Sequence, residues 1–326
     1  FEEATNIHKF ILDNATARYA GSGRVDGTVG SQFCLSEYDG AVRVAATTNA
    51  WGRWWSQTPV EPENHVYVLT PADNGSLGIT GHLGGIAQGE RIWAARFIGT
   101  KGYLVTFRNI DPLWTIDLSR PSAPAVIGEI QVPGVSTYIH PISEDRLLTI
   151  GYGGDENGLD WSIMVALFDV ADFSNPVMID NMTLFVNQSD NGSSTWGSSE
   201  AAYEHKAFQY WAPEQMLAVP LSASTSSWDF SGNGSYSYIS RLMLIKVDPA
   251  AGFTLHGTID HSKYFNSNPD CYWTNQDIRR SIFMGDYIYA LSDRAVTVNL
   301  IDNMTETDAA ELTGTCYEDF VYRGFE

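Results

Sequence analysis

One phrase recurs along this chain, and it leaves few folds open. Residues 279–294 read RRSIFMGDYIYALSDR, and residues 95–109 read ARFIGTKGYLVTFRN. Further copies are QFCLSEYDGAVRVAATT at 32–48, YIHPISEDRLLTIGY at 138–152 and HKAFQYWAPEQMLAVPLS at 205–222. Each is an apolar segment, a polar turn and an alternating apolar segment, which is how a β-hairpin is written. The turns fall at Asp39-Gly40, Thr100-Lys101, Glu144-Asp145, Pro213-Glu214 and Gly285-Asp286.

A third strand follows each hairpin: HVYVLTP, LWTIDLS, MVALFDVAD, LMLIKVDP and AVTVNLID. A weaker fourth usually comes next, as in GSLGITGHL, PAVIGEIQV, PVMIDNMTLFV and GFTLHGTIDH. The repeat unit is thus four antiparallel strands. One such sheet cannot bury both faces, whereas sheets stacked radially about an axis do, which is the β-propeller solution. The fold class is all-β, a β-propeller of four-stranded antiparallel blades, read as a single domain over residues 1–326. Five blades are complete. IHKFILD and ARYAGSGRV open the chain as a half-blade, so six blades is the minimum, and seven or eight fit if upstream sequence is missing. The half-blade is expected to be closed by the C-terminal DFVYRGF, by upstream strands or by another chain, because open strand edges invite pairing. The loops at 47–63 and 187–202 are read as rim loops.

Several of these segments together carry a resemblance. NIHKFIL, QFCLSEYDGAVRVAATT, ERIWAARFIGTKGYLVTFRNIDPLWTIDLSRPSAPAVIGEI, STYIHPISEDRLLTIGYG, ALFDVADFSNPV, YEHKAF and DIRRSIFMGDYIYALSD resemble a family of secreted bacterial and archaeal β-propeller domains distantly related to WD40 repeats. The likeness runs from about Thr5 to Thr305. It implies secretion, cell-surface display or a periplasmic location, and no catalytic set.

Charge narrows the partners. A formal net charge of -20 repels phosphate backbones, so nucleic acid is not an expected partner. No apolar run is long enough to span a bilayer as a helix, and membrane insertion is not expected. Hydrolase signatures are missing: there is no G-x-S-x-G elbow, H-E-x-x-H pair or phosphate-binding glycine loop. Asn-x-Ser/Thr occurs at Asn14, Asn74, Asn181, Asn187, Asn191, Asn233 and Asn303, as glycosylation sites or as ordinary turn chemistry.

Four groups of residues stand out. Glu37, Arg96, His140, His205, Arg279 and Arg280 recur near the start of each hairpin. On innermost strands they would line the central channel and hold an anion, a metal or water; the competing reading makes them ties between blades. Asp155, Asn157 and Asp160 in DENGLD offer hard oxygen ligands that suit Ca²⁺, or form a solvated turn. Trp51, Trp54, Trp55, Trp196 and Trp228 sit in loops and either grip a partner or fold over blade edges. Cys271 and Cys316 bracket one repeat and are the expected disulfide, with Cys34 a buried thiol; the alternative is three reduced core cysteines.

The function expected from these features is an extracytoplasmic, non-enzymatic scaffold that binds a protein or glycan. The alternatives are a structural subunit of a surface assembly and a hydrolase with a metal-assisted site in the channel.

Overall fold

The computed structural model describes residues 3–49, 60–107, 111–132, 134–153, 162–186, 188–190, 193–228, 234–265 and 276–312. The chain opens with a hairpin of β1 (Ala4–Asp13) and β2 (Thr16–Asp26). The first four-stranded antiparallel sheet is β3 (Leu35–Tyr38), β4 (Ala41–Thr48), β5 (Glu63–Pro71) and β6 (Leu77–Ile86), in that order. The second is β7 (Arg91–Ile98), β8 (Lys101–Phe107), β9 (Asp111–Asp117) and β10 (Ala125–Val132). The third is β11 (Val135–Pro141), β12 (Arg146–Gly153), β13 (Ser162–Asp169) and β14 (Val177–Val186). A six-stranded sheet holds β15 (Gln188–Asp190), β16 (Ser193–Ser198), β17 (Gln209–Trp211), β18 (Met216–Trp228), β19 (Gly234–Asp248) and β20 (Gly252–Asp260). The last is β21 (Ile278–Met284), β22 (Tyr287–Ser292), β23 (Ala295–Leu300) and β24 (Glu306–Glu311). With the N-terminal hairpin as a partial blade, this is a β-propeller of about six blades.

Local chemistry explains the hairpins. Tyr38 pairs with Ala41 around Asp39-Gly40, and both turn residues have positive φ (49° and 76°). That is the backbone of the primed turns whose twist matches the flanking strands, and Asp-Gly tolerates it best. In the second sheet the turn is Gly99-Thr100, one residue earlier than the sequence spacing predicts, because Gly99 takes the positive φ (51°).

The chain divides into two compact units. The first is built mainly from Phe1–Gly151 and Leu167–Met178, the second mainly from Leu159–Ala166 and Ile179–Glu326. In the first unit the central strands are buried on both faces, and the period-2 alternation sends each face to a different core. Ala45, Val66 and Val68 pack with Ala95, Leu104 and Ile116 of the second sheet. Val44, Ala46, Tyr67 and Leu69 pack on the other side with Ile7 and Val25 of the β1–β2 hairpin. In the second unit, Met216, Leu242, Leu244 and Ile259 meet Ile278, Ile288 and Ile301 of the last sheet.

Two elements differ from expectation. Strand β24, ETDAAE, completes the last blade although its sequence carries no apolar alternation; it is exposed throughout, and its acidic residues guard a sheet edge. Part of the expected rim loop at 187–202 is strand: β16 pairs with β18 from Ser193↔Ser227 to Ser198↔Ser222. Strands β18 and β19 pair from Met216↔Lys246 out to Trp228↔Gly234, well past the repeat unit. The blade therefore carries an arm, the extended β18–β19 ladder with β16 beside it and the short β15 on its edge.

Candidate functional site

The densest charged cluster lies in the second unit. Ser199 donates its hydroxyl to the Pro220 carbonyl (2.5 Å) and accepts from the Ala201 N–H (3.3 Å). This pins the 3-10 turn Glu200–Ala202 against β18 and buries the Glu200 side chain, which is 5% exposed. Arg279 and Arg280 are neighbours on β21, and on a regular strand they would point to opposite faces. A register shift between Ile278 and Arg280 breaks that alternation, and both guanidiniums reach one carboxylate. Arg279 Nε donates to Glu200 Oε2 at 3.1 Å, and Arg280 Nη1 donates to Oε1 at 2.8 Å. Arg280 Nη2 also lies 3.7 Å from Glu204 Oε2, and Arg279 Nη1 lies 4.0 Å from Asp293 Oδ2. His205 Nδ1 is 3.4 Å from Glu204 Oε1. Hydrogen bonding to Glu200 raises the Arg279 pKa. Asp277 borders the cluster; burial raises its pKa, opposed by hydrogen bonds from Tyr238 and Ser222.

This geometry suits a tie. The two arginines place four donor contacts on the Glu200 carboxylate, three of them on Oε1, and hold it as their counter-ion. The ion pairs join the segment before β17 to the last blade.

In the first unit Arg96 and His140 come together through aromatic rings. The Arg96 guanidinium lies 4.8 Å from the centre of the Phe33 ring, and Phe33 meets Tyr138 at 5.3 Å. The Tyr138 hydroxyl is 3.2 Å from His140 Nδ1. Burial, and then the Arg96 charge, push the His140 pKa down to about 4, so its ring is neutral at pH 7. Glu37 does not join them: its carboxylate accepts from Lys9 Nζ at 2.9 Å and is 57% exposed.

The remaining expected residues divide. Trp196 and Trp228 are strand residues, not loop residues. Trp196 is 65% exposed and pairs with Ser224, which pairs with Tyr238, so one row crosses three strands. Tyr238 stacks on Phe265 (4.3 Å) and donates its hydroxyl to Asp277. Cys34 is a buried free thiol. Trp51, Trp54, Trp55, Asp155, Asn157, Asp160, Cys271 and Cys316 lie outside the described residues. At Asn74 and Asn303 the side-chain oxygen accepts the N–H two residues on, which is the chemistry of an Asx turn.

Sequence reasoning missed Glu200, Asp277 and the exposed Tyr203. Glu200 is one of 39 acidic residues, and nothing in its spacing marks it as the buried partner of an arginine pair.

Repeated four-stranded antiparallel sheets packed through apolar cores define a β-propeller, and in the second unit one buried carboxylate ties the segment before β17 to the last sheet. The chain belongs to the beta propeller domain family, whose model matches residues 1–304. It is similar to Uncharacterized protein MJ1554 of Methanocaldococcus jannaschii, with 39% identity over 56% of this chain and 27% of that protein. It is also similar to an uncharacterized protein of Archaeoglobus fulgidus, with 37% identity over 53% of this chain and 24% of that one. The matched part is thus about a quarter of each relative's length. Among solved structures, one of an eukaryotic initiation factor covers 90% of this chain and 57% of its own, at 9% identity and a TM-score of 0.43. The crystal structure of Chaetomium thermophilum Sqt1 covers 83% and 69%, at 11% identity and a TM-score of 0.37. Neither superposition is close enough to carry an argument.

Proposed function

We propose that this chain is an extracytoplasmic, non-enzymatic scaffold that binds a protein or glycan partner through the arm of β16, β18 and β19. One observation carries the reading: two large aromatic side chains stand in solvent, Tyr203 next to the ionic cluster and Trp196 on a row of residues that leads to its border. Trp196 is 65% exposed and Tyr203 is 72% exposed. Tyr203 feels the charges of Glu200, Asp277 and Arg279, and Tyr238 joins the Trp196 row to Asp277. Paired hydroxyls line the arm, Ser198 with Ser222 and Thr195 with Thr225, each at 3.0 Å. A rigid sheet that presents aromatic faces among hydroxyls offers stacking and hydrogen bonding without ordering a loop.

The test is binding of the purified chain to a panel of immobilised polysaccharides and cell-envelope proteins, with Trp196→Ala beside it. A central aromatic contributes about 2 kcal/mol or more, so the variant should bind roughly thirtyfold more weakly. Equal binding by Trp196→Ala, or no binding by either, refutes the reading.

A second reading, the structural subunit, has its own support. On the β1–β2 hairpin Phe10 is 54%, Leu12 79% and Tyr19 52% exposed, and the two strands make a sheet by themselves among the described residues. A strand from another chain would cover them.

A further inference from the structure

A pair of histidines outside all of these clusters has ligand geometry. His65 on β5 and His82 on β6 lie on adjacent strands, and Tyr67 is the register partner of His82. His65 Nδ1 and His82 Nε2 are 3.2 Å apart. Two imidazole nitrogens that share one tetrahedral zinc at about 2.0–2.1 Å each lie about 3.3 Å apart. Glu63 Oε1 is 4.0 Å from His65 Nδ1. We infer that His65, His82 and Glu63 form a surface site for one divalent transition-metal ion, with water completing the coordination.

Four features support the assignment. The first is the tautomer of His65. The Thr48 hydroxyl donates to the Glu63 carbonyl (3.2 Å), so its oxygen is left to accept from His65 Nε2 at 3.2 Å. That places the proton on Nε2 and the lone pair on Nδ1, on the side of His82 and Glu63. An outer-shell oxygen that fixes the free ring nitrogen is the usual companion of a metal-bound histidine. The second is ring orientation: His82 stacks on Tyr67 with centroids 4.5 Å apart and planes 4° from parallel.

The third is space. A Cβ on Gly84 would stand 3.0 Å from His65 Nδ1, 3.4 Å from Glu63 Oε1 and 3.4 Å from His82 Cε1. The missing side chain leaves open the point around which these groups gather. The fourth is access: the Glu63 side chain is 42% exposed, and its Oε1 is steered by the Gly85 N–H at 2.9 Å.

Among the described residues no three His, Cys, Asp or Glu groups are already drawn tightly enough around one point to hold an ion. Here the two imidazole nitrogens stand at ligand spacing, and the Glu63 carboxylate, 4.0 Å from His65 Nδ1 and held by the Gly85 N–H, has to move inward to complete the set. Two nitrogens and one oxygen select a borderline metal such as Zn²⁺, Co²⁺ or Ni²⁺ over Ca²⁺ or Mg²⁺.

The test uses the full chain, stripped with chelator and titrated with Co²⁺, whose visible absorption reports its ligands, and then competed with Zn²⁺. One equivalent should bind saturably and be displaced by Zn²⁺. Because His65 is buried, its replacement risks the fold, and His82→Ala and Glu63→Gln are the informative variants. Loss of an outer-shell partner already costs about 10–100-fold, so His82→Ala, which removes a direct ligand, should lose at least about 100-fold in affinity and Glu63→Gln less, with circular dichroism unchanged. Gly84→Ala, which closes the space, should also weaken binding. The inference is overturned if the wild-type chain shows no saturable Co²⁺ signal, or if His82→Ala binds as tightly as wild type; the two rings are then only a hydrogen-bonded pair.

Discussion

Removing the two arginines from the Glu200 cluster should harm the fold more than removing the glutamate. The structure sets the asymmetry. Glu200 is the buried member, with a side chain 5% exposed, whereas those of Arg279 and Arg280 are 43% and 31% exposed. In Arg279→Ala/Arg280→Ala the carboxylate loses all four donor contacts from these arginines and stays out of water. An uncompensated buried charge of that kind costs about 3–5 kcal/mol. In Glu200→Ala the two guanidiniums turn to solvent and keep Glu204 and Asp293 at 3.7 and 4.0 Å. Exposed ions recover most of their hydration, so the loss should be about 1–2 kcal/mol. The sharper expectation concerns the triple variant, which should be more stable than the double arginine variant because the stranded charge is gone. Urea unfolding followed by tryptophan fluorescence measures this, comparing midpoints at constant slope. The control Arg18→Ala/Arg120→Ala removes the same charge at two exposed positions. A triple variant less stable than the double, or Glu200→Ala costing as much as the double, refutes the buried-carboxylate argument.

Acid should weaken the fold through His261, which is 1% exposed and hydrogen-bonded to the Ser292 and Thr297 hydroxyls. Burial, and then Lys263, push its pKa down from 6.5 to about 4. Between those values the unfolded chain binds the proton and the folded chain does not, so this contribution is complete above about pH 6.5 and falls away toward pH 4. His261→Asn should flatten the stability profile across that window, and an unchanged slope would contradict the assignment. If the β1–β2 hairpin docks on another copy, light scattering should show a dimer that Leu12→Lys dissociates; a monomer at all concentrations would count against self-association. Native alkylation should spare Cys34, which is buried, and labelling of that thiol before unfolding would show the core to be open there.

The blade pattern was legible because both faces of a blade are buried. Val44, Ala45 and Ala46 on β4, and Val66 to Leu69 on β5, write near-continuous apolar runs between polar turns, as do Ile163 to Phe168 on β13. Strand β24 was hidden for the opposite reason: an exposed edge strand is selected for solubility and pairs through its backbone alone. The arm was hidden because Ser and Thr dominate it, and those residues read as loop. Its pairing follows from continuing the β18–β19 ladder past the core, a tertiary fact with little local signal. Of the charged residues expected on the first strand of each hairpin, Glu37, Arg96, His140, Arg279 and Arg280 are there but their partners were not legible, and His205 lies instead in a 3-10 turn, His205–Ala207. Glu37 and Arg96 occupy first strands alike, yet one meets Lys9 and the other the Phe33 ring.

The bulge at β21 shows how chemistry arises in a repeat fold built for uniformity. Every blade offers its first strand in the same way, so equivalent positions face similar surroundings. Departure from the repeat creates a distinct site. At Ile278–Arg280 a shifted register lets consecutive arginines converge, and the added Glu200 turn supplies their counter-charge. At β16 an extra strand brings an exposed tryptophan into one row with Ser224 and Tyr238, and Tyr238 bonds Asp277 at the cluster's border. At β6 a glycine leaves a gap beside two imidazoles. In all three places the recurring sheet supplies rigidity, and the irregularity brings together polar or aromatic groups that the regular repeat would keep apart. Trimming the arm back to the repeat should therefore preserve the blade and remove the aromatic face, because the core of Met216, Leu242 and Leu244 lies wholly on its inner side.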